Sequence, residues 1–340
     1  MTTETTPPSE APPAGGIGRV FGSRGGGSPA RRIAIRIAQL ALTVLVSWLI
    51  LERLGPGLGA LASGEAGRVR PRWGWIAASC AVLACGYGFS GWIWSQMVRD
   101  LGGPLVPARD AVRIYLVANL GRYVPGKLWQ VAGLALLARS RGVTAPVATA
   151  AAVVGQAVAL AGAMLIGMVA LVDAPPSIAW FTPFALAGTA AVVLAVTIPA
   201  IFRPLLRLWM RWVPGEAPKE VPIGTLEGLR WLALYTLNWG GYALAFWLLV
   251  RGLSLPGALL EVGPAFAAAY VIGYVAIFAP AGLGVREVSL VALLSPALGP
   301  GGAALTAVVA RVWTTVVEVV PAGVFWFGGM RRPAPPVEGA

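Results

Sequence analysis

Long apolar runs recur along this chain, each near the roughly 20 residues that a helix needs to cross a bilayer. They fall at about residues 33–51, 73–97, 146–172, 180–202, 230–250 and 303–329, called spans A to F here. The apolar residues run on without a two-residue alternation, so the pattern predicts helices rather than a β-barrel. Two further stretches, 111–137 and 262–294, are apolar but interrupted, the first at Pro125-Gly126 and the second at Pro280. Proline lacks the amide proton and clashes with the preceding turn, so a helix breaks there. The pieces on either side of Pro125 are too short to span. Each stretch is read as a re-entrant hairpin that goes in, turns and comes back out.

The order is then span, span, broken hairpin, span, twice over. A hairpin crosses nothing, so three crossings precede span D and the second half starts from the opposite face. The chain is therefore predicted to be an all-α polytopic membrane protein. It has about six full transmembrane helices and two re-entrant broken-helix hairpins, in two inverted-topology halves at about 33–172 and 180–329. Locally, Tyr123-Val124-Pro125-Gly126 lines up with Phe278-Ala279-Pro280-Ala281. Inverted repeats with paired broken helices are a transporter architecture.

Composition agrees with a membrane solvent. The chain is 57% hydrophobic and 12% charged, with a mean hydropathy of +0.74, where a soluble domain carries about 25% charged residues. The net charge of +12 is read as a topology signal, not as a nucleic-acid footprint. With the N-terminus inside, cytoplasmic Lys and Arg number five before span A, five between B and C, five between D and E and two after F. That makes seventeen inside against five outside (Arg53, Arg68, Arg70, Arg72 and Arg251), as the positive-inside rule expects. The expected location is a bacterial cytoplasmic (inner) membrane, multi-pass, with both termini cytoplasmic. Residues 1–30 are rich in Pro, Gly, Ser and Thr and read as a disordered cytoplasmic tail, 31–330 as a single transmembrane domain, and 331–340 as a second short tail. No cleaved signal peptide is expected. Arg203, Arg207 and Arg211 recur every four residues among Leu206, Leu208, Trp209 and Trp212. They predict a helix extension at the inner surface, with its arginines reaching anionic head groups.

Charge inside the membrane carries the chemistry. Arg122, Lys127 and Arg286 lie beside the two predicted tips, and Arg311 faces them from span F. The acids at that depth are Glu287 and Glu318. A charge at bilayer centre costs at least about 2.5–3.5 kcal/mol on insertion scales, so these six imply ion pairs, water or an anionic ligand. Glu287 is expected to pair with Arg311. Arg311 and Glu318 are two turns apart on one helix face. Gly126, Gly282 and Gly284 let backbone approach a ligand, and a helix start after each proline offers free N–H groups. Dipole, N–H and guanidinium together favour a phosphate, and a lipid head-group phosphate is the natural source. Tyr115, Asn119, Tyr123, Trp129, Gln130, Gln156 and Asn238 sit at cavity positions, and their expected role is hydrogen bonding between helices or anchoring at the interface rather than ligand contact.

Other classes of function find little support. The chain has no histidine, and Cys80 and Cys85 are its two cysteines, so metal sites are nearly excluded and no cofactor is expected. There is no G-x-S-x-G elbow, no nucleotide loop and no paired Asp within a span. The chain is expected not to be an enzyme, with Glu287 and Glu318 as counter-ions.

At these residues the sequence resembles a known family. Asn119-Leu-Gly-Arg-Tyr-Val-Pro-Gly-Lys-Leu-Trp-Gln130 and Ala279-Pro-Ala-Gly-Leu-Gly-Val-Arg-Glu287 look like the two hallmark segments of the lysylphosphatidylglycerol synthase transmembrane (flippase-like) family. The resemblance covers roughly residues 33–329. It implies a flippase domain that moves an anionic or aminoacylated phospholipid, or a lipid-linked head group, between leaflets. By motif position, Arg122, Tyr123, Pro125, Gly126 and Lys127 would line one side of the site, and Pro280, Gly282, Gly284, Arg286 and Glu287 the other. The chain is expected to be a stand-alone member without the soluble aminoacyltransferase domain. Expected partners are membrane phospholipid, with no nucleic acid, and room for a separate transferase or a homo-oligomer. Three alternatives stay open: a lipid-binding subunit that presents lipid to a separate transferase, a membrane-embedded transferase using Glu287 or Glu318, and an ion-coupled carrier of a small anion.

Overall fold

A computed structural model describes residues 71–123, 128–172, 174–218, 223–276, 282 and 284–329. Span A, both tails, Val124, Pro125, Gly126, Lys127, Pro280 and the side chain of Tyr123 lie outside the described residues. The described residues are helical, with no strand among them.

Three helices are long enough to cross a bilayer with length to spare. They are α1 (Trp73–Asp100), α4 (Ala145–Leu171) and α8 (Thr225–Gly252). At 1.5 Å per residue, 27 or 28 residues reach about 40 Å, beyond the roughly 30 Å of hydrocarbon. By length and composition, five stretches can cross a membrane: these three, Pro176–Thr197 and Val285–Phe325. They answer to spans B, C, E, D and F.

The stretch cut at Pro125 forms two short helices, α2 (Ala108–Asn119) and α3 (Leu128–Ala138), with a 3-10 turn at Leu120–Tyr123 between α2 and the break. Each is about 17 Å long, half the hydrocarbon thickness. They pack on each other, and Gly121 decides how closely. A Cβ there would lie 2.8 Å from the Gln130 amide nitrogen and the Trp129 carbonyl carbon.

Span D is built differently from its sequence reading. It begins with a single turn, α5 (Pro176–Ala179), and continues as α6 (Thr182–Thr197). It stops at Ile198, where the backbone is extended (φ −100°, ψ 104°), rather than running on to Phe202. Pro199 then opens α7 (Pro199–Trp212), the helix expected at the inner surface. Phe202, Leu206 and Met210 form its buried stripe, while Arg203, Arg207, Arg211, Leu205, Leu208 and Trp212 are exposed. Arg203 reaches back to donate from Nε to the Ile223 carbonyl at 3.0 Å.

The stretch cut at Pro280 gives α9 (Leu259–Val275) and the start of α10 (Val285–Gly329). Gly299, at φ 71° and ψ 163°, breaks α10 into 285–298 and 300–329. A side chain would strain that backbone, and Pro300 then restarts the helix. The second broken pair is thus α9 with 285–298, and span F is 300–329. Three helices share one start: Glu227, Glu261 and Glu287 each accept from a backbone N–H three residues earlier, at 2.7–2.8 Å.

Packing follows a two-fold pattern. The second spans, α1 and α8, pack on each other along their lengths, with Gly86 pressed on Tyr242. The broken pairs pack both ways: α9 packs on α4 of the first half and on α10, while α3 packs on α4 and α2 on α10 of the second half. Small residues permit this, as in membrane helix pairs generally. A Cβ on Gly167 would sit 2.8 Å from the Ala268 nitrogen, and one on Gly162 would sit 2.9 Å from the Thr236 nitrogen.

Candidate functional site

The buried apolar residues form two clusters. One holds Ile93, Trp94, Met97, Val147, Phe202 and Trp231; the other holds Leu83, Met164, Phe246, Phe266, Leu294 and Trp313. Between them lies a polar cavity of about 140 Å³. The long helices each contribute from near their midpoints: Tyr87 and Ser90 from α1, Gln156 from α4, Asn238, Trp239 and Tyr242 from α8, and Arg311 and Thr314 from the last part of α10. Described residues beside both breaks line the same space, Arg122 on one side and Gly273, Tyr274, Gly282 and Arg286 on the other. The cavity therefore sits at mid-depth of the bundle, between elements of both halves.

Two buried ion pairs frame it. Arg122 Nε lies 3.3 Å from Glu318 Oε1, which joins the first broken pair to span F. Arg311 Nη1 lies 3.8 Å from Glu287 Oε1, which joins span F to the second broken pair. Glu287 also accepts the Gly284 N–H through Oε2 at 2.8 Å, so it starts its helix as well as balancing Arg311. The expected Glu287–Arg311 pair forms. Arg311 and Glu318 face the same cavity, but each has an ion-pair partner on a different element. Both acids are almost wholly buried, where breaking a pair by removing one partner costs about 3–5 kcal/mol.

Arg286 differs from the other two arginines. Its guanidinium stacks over Phe266 at 4.9 Å and over Tyr270 at 5.6 Å from the ring centroids. It has no ion pair among the described residues. Gly273 makes room for it, since a Cβ there would lie 2.7 Å from the Arg286 Cβ. Gly282, at φ 68°, passes within van der Waals reach of the Gly273 carbonyl, and Gly284 also has positive φ (83°). These two glycines were expected at a tip, and their backbone requires them.

The tyrosines were not foreseen as a group. The chain has seven, and six line the cavity: Tyr87, Tyr115, Tyr235, Tyr242, Tyr270 and Tyr274. Tyr242 shares a network with Ser90 (3.0 Å), which accepts from Asn238 Nδ2 (2.8 Å). Tyr270 packs on Trp239 at 4.8 Å and on Tyr274 at 6.2 Å. The signal was available. Tyrosine usually belongs to interface belts at span ends, and Tyr87 and Tyr242 stand near the middle of their spans. Tyr115, Asn119, Gln130, Gln156 and Asn238 were expected at cavity positions and line it. Gln130 donates to Asn119 Oδ1 at 2.6 Å, which ties the two arms of the first broken pair together. Trp129 is half-exposed and is not among the lining residues.

The family model for the lysylphosphatidylglycerol synthase TM region matches residues 36–322. The chain belongs to this family. The match takes in both broken pairs, every described span except the last few residues of span F, and the charged groups of the cavity. No curated protein matches the chain. The protein is thus a multi-pass, all-helical membrane protein of a lipid-related family. Among the described residues, no group of three His, Cys, Asp or Glu side chains could hold a metal ion.

Proposed function

We propose that the protein is a lipid translocator: it moves a phosphate-bearing lipid, or a lipid-linked head group, between the leaflets of a bacterial inner membrane. The reading rests on one observation. Two broken helix pairs, one from each half, meet at a polar, arginine-bearing cavity at the mid-depth of an otherwise apolar bundle. Irregular backbone and charge at that depth are tolerated beside protein or a water-filled cavity. The broken pairs act as re-entrant hairpins of opposite orientation, in two inverted halves. The two-fold packing supports this arrangement. A polar head group would occupy the cavity while its acyl chains stay in lipid. The volume suits that division, because pockets that enclose a whole drug-sized ligand run to roughly 300–1,000 Å³. Arg122, Arg286 and Arg311, with Lys127, would hold the phosphate, and Glu287 and Glu318 would balance charge. The protein performs no covalent chemistry in this account.

The test is trans-bilayer movement in reconstituted liposomes. Labelled phospholipid in the inner leaflet becomes accessible to an external quencher when the protein is present, at a rate well above that of protein-free liposomes. Lipid that co-purifies with the protein but shows no accelerated movement would contradict translocation and leave a lipid-presenting subunit.

A further inference from the structure

The charge balance and the lining of the cavity say what kind of head group fits. Three guanidiniums, Arg122, Arg286 and Arg311, meet two carboxylates, Glu287 and Glu318. Both carboxylates are already held by guanidinium groups, at 3.3 and 3.8 Å. Arg286 is left stacked on Phe266 and Tyr270 without a carboxylate partner among the described residues. An uncompensated cation at bilayer depth calls for an anionic partner. A head group that carried its own ammonium would find the opposite environment. It would have to open an existing ion pair to gain a carboxylate, and it would compete with Arg286 for the aromatic faces.

The rest of the wall is neutral and rich in hydrogen-bonding groups. Tyr87, Tyr115, Tyr235 and Tyr242 offer phenolic hydroxyls with flat ring faces. Gln156 and Asn119 add amides. Asn119 is 1% exposed, and its Nδ2 has no hydrogen-bond partner among the described residues, although its Oδ1 is held by Gln130. Buried amide donors are normally satisfied, so this one points to a missing acceptor. Hydroxyl groups, which donate and accept, are the natural complement to phenols and amides.

We propose that the head group taken by this cavity is an uncharged polyhydroxyl group joined through a single phosphate, a glycerol or sugar phosphodiester. Arg286 takes the phosphate, and the tyrosine and amide wall takes the hydroxyls. This rests on the translocator reading and narrows it, against a cationic, aminoacylated head group.

The experiment is a competition read by native mass spectrometry. The full chain, in detergent, is offered equal amounts of phosphatidylglycerol, polyprenyl glucosyl phosphate, phosphatidylethanolamine and lysyl-phosphatidylglycerol. Retention of one or both of the first two at least tenfold above the last two is expected, and which of them is retained identifies glycerol or sugar as the source. Arg286→Gln should abolish the preference, and Arg286→Lys should keep part of it. Equal or preferential retention of phosphatidylethanolamine or lysyl-phosphatidylglycerol overturns the assignment, as does retention of none of the four. The liposome measurement separates the two claims. Translocation without this preference overturns the head-group assignment alone, and this preference without translocation overturns the translocator reading alone.

Discussion

Glu318 shows how much a single residue at this depth can hold. It is 2% exposed and lies 3.3 Å from the Arg122 guanidinium. Neutralising it leaves Arg122 charged in an apolar bundle, a loss of about 3–5 kcal/mol for a buried pair broken from one side. Glu318→Gln is therefore expected to lower the thermal unfolding temperature in detergent sharply. Arg122→Gln in the same chain should restore part of the loss, because no buried charge is then left alone. A double variant no more stable than Glu318→Gln would contradict the pairing. The residues carrying formal charge were legible in the sequence, since any ion inside an apolar run stands out. The tyrosines were less so: only the mid-span places of Tyr87 and Tyr242 set them apart from interface belts, and a phenol becomes a cavity wall when several spans converge.

At the scale of elements, the broken pairs depend on contacts that admit no side chain. Gly121 lets the first pair close at its tip, and Gly273 lets Arg286 pack in the second. Gly121→Val should push α2 and α3 apart, with a cost in the range of about 1–3 kcal/mol for overpacking. The Gln130–Asn119 hydrogen bond spans the same gap and should be lost with it. The check is a cysteine pair placed at positions 119 and 130, which should cross-link readily with Gly121 present and poorly once Gly121→Val is added. Equal cross-linking would show that the tip does not need glycine. The breaks themselves were readable from sequence, because proline and glycine punctuate an apolar run whatever surrounds them. The stop at Ile198 was missed for the converse reason. It precedes a proline inside apolar sequence, and hydropathy alone runs straight through it. The kink at Gly299 falls in the gap read between the second broken stretch, which ends at 294, and span F, which starts at 303. The surface helix α7 was anticipated from its four-residue arginine spacing. Its independence from span D was not, since that depends on one extended residue.

For the whole molecule, the central claim is that the two breaks cooperate in one cavity through which a lipid head group passes. The order of the described spans and breaks follows from reading hydropathy with proline and glycine. What sequence could not give is which half touches which. Packing of the first broken pair against α10 places Arg122 beside Glu318, and the kink at Gly299 folds span F back so that Arg311 reaches Glu287 within the second half. Those pairs are 196 and 24 residues apart in sequence, and the longer one has no local signature. The most direct measurement is the rate of phospholipid movement across liposomes containing the Arg122→Gln, Arg286→Gln double variant. Only preparations that stay monodisperse and helical are compared with the wild-type chain. The account predicts a loss of at least tenfold in that rate, because both tips would lose their cation. A double variant that moves lipid as fast as the wild-type chain would contradict it.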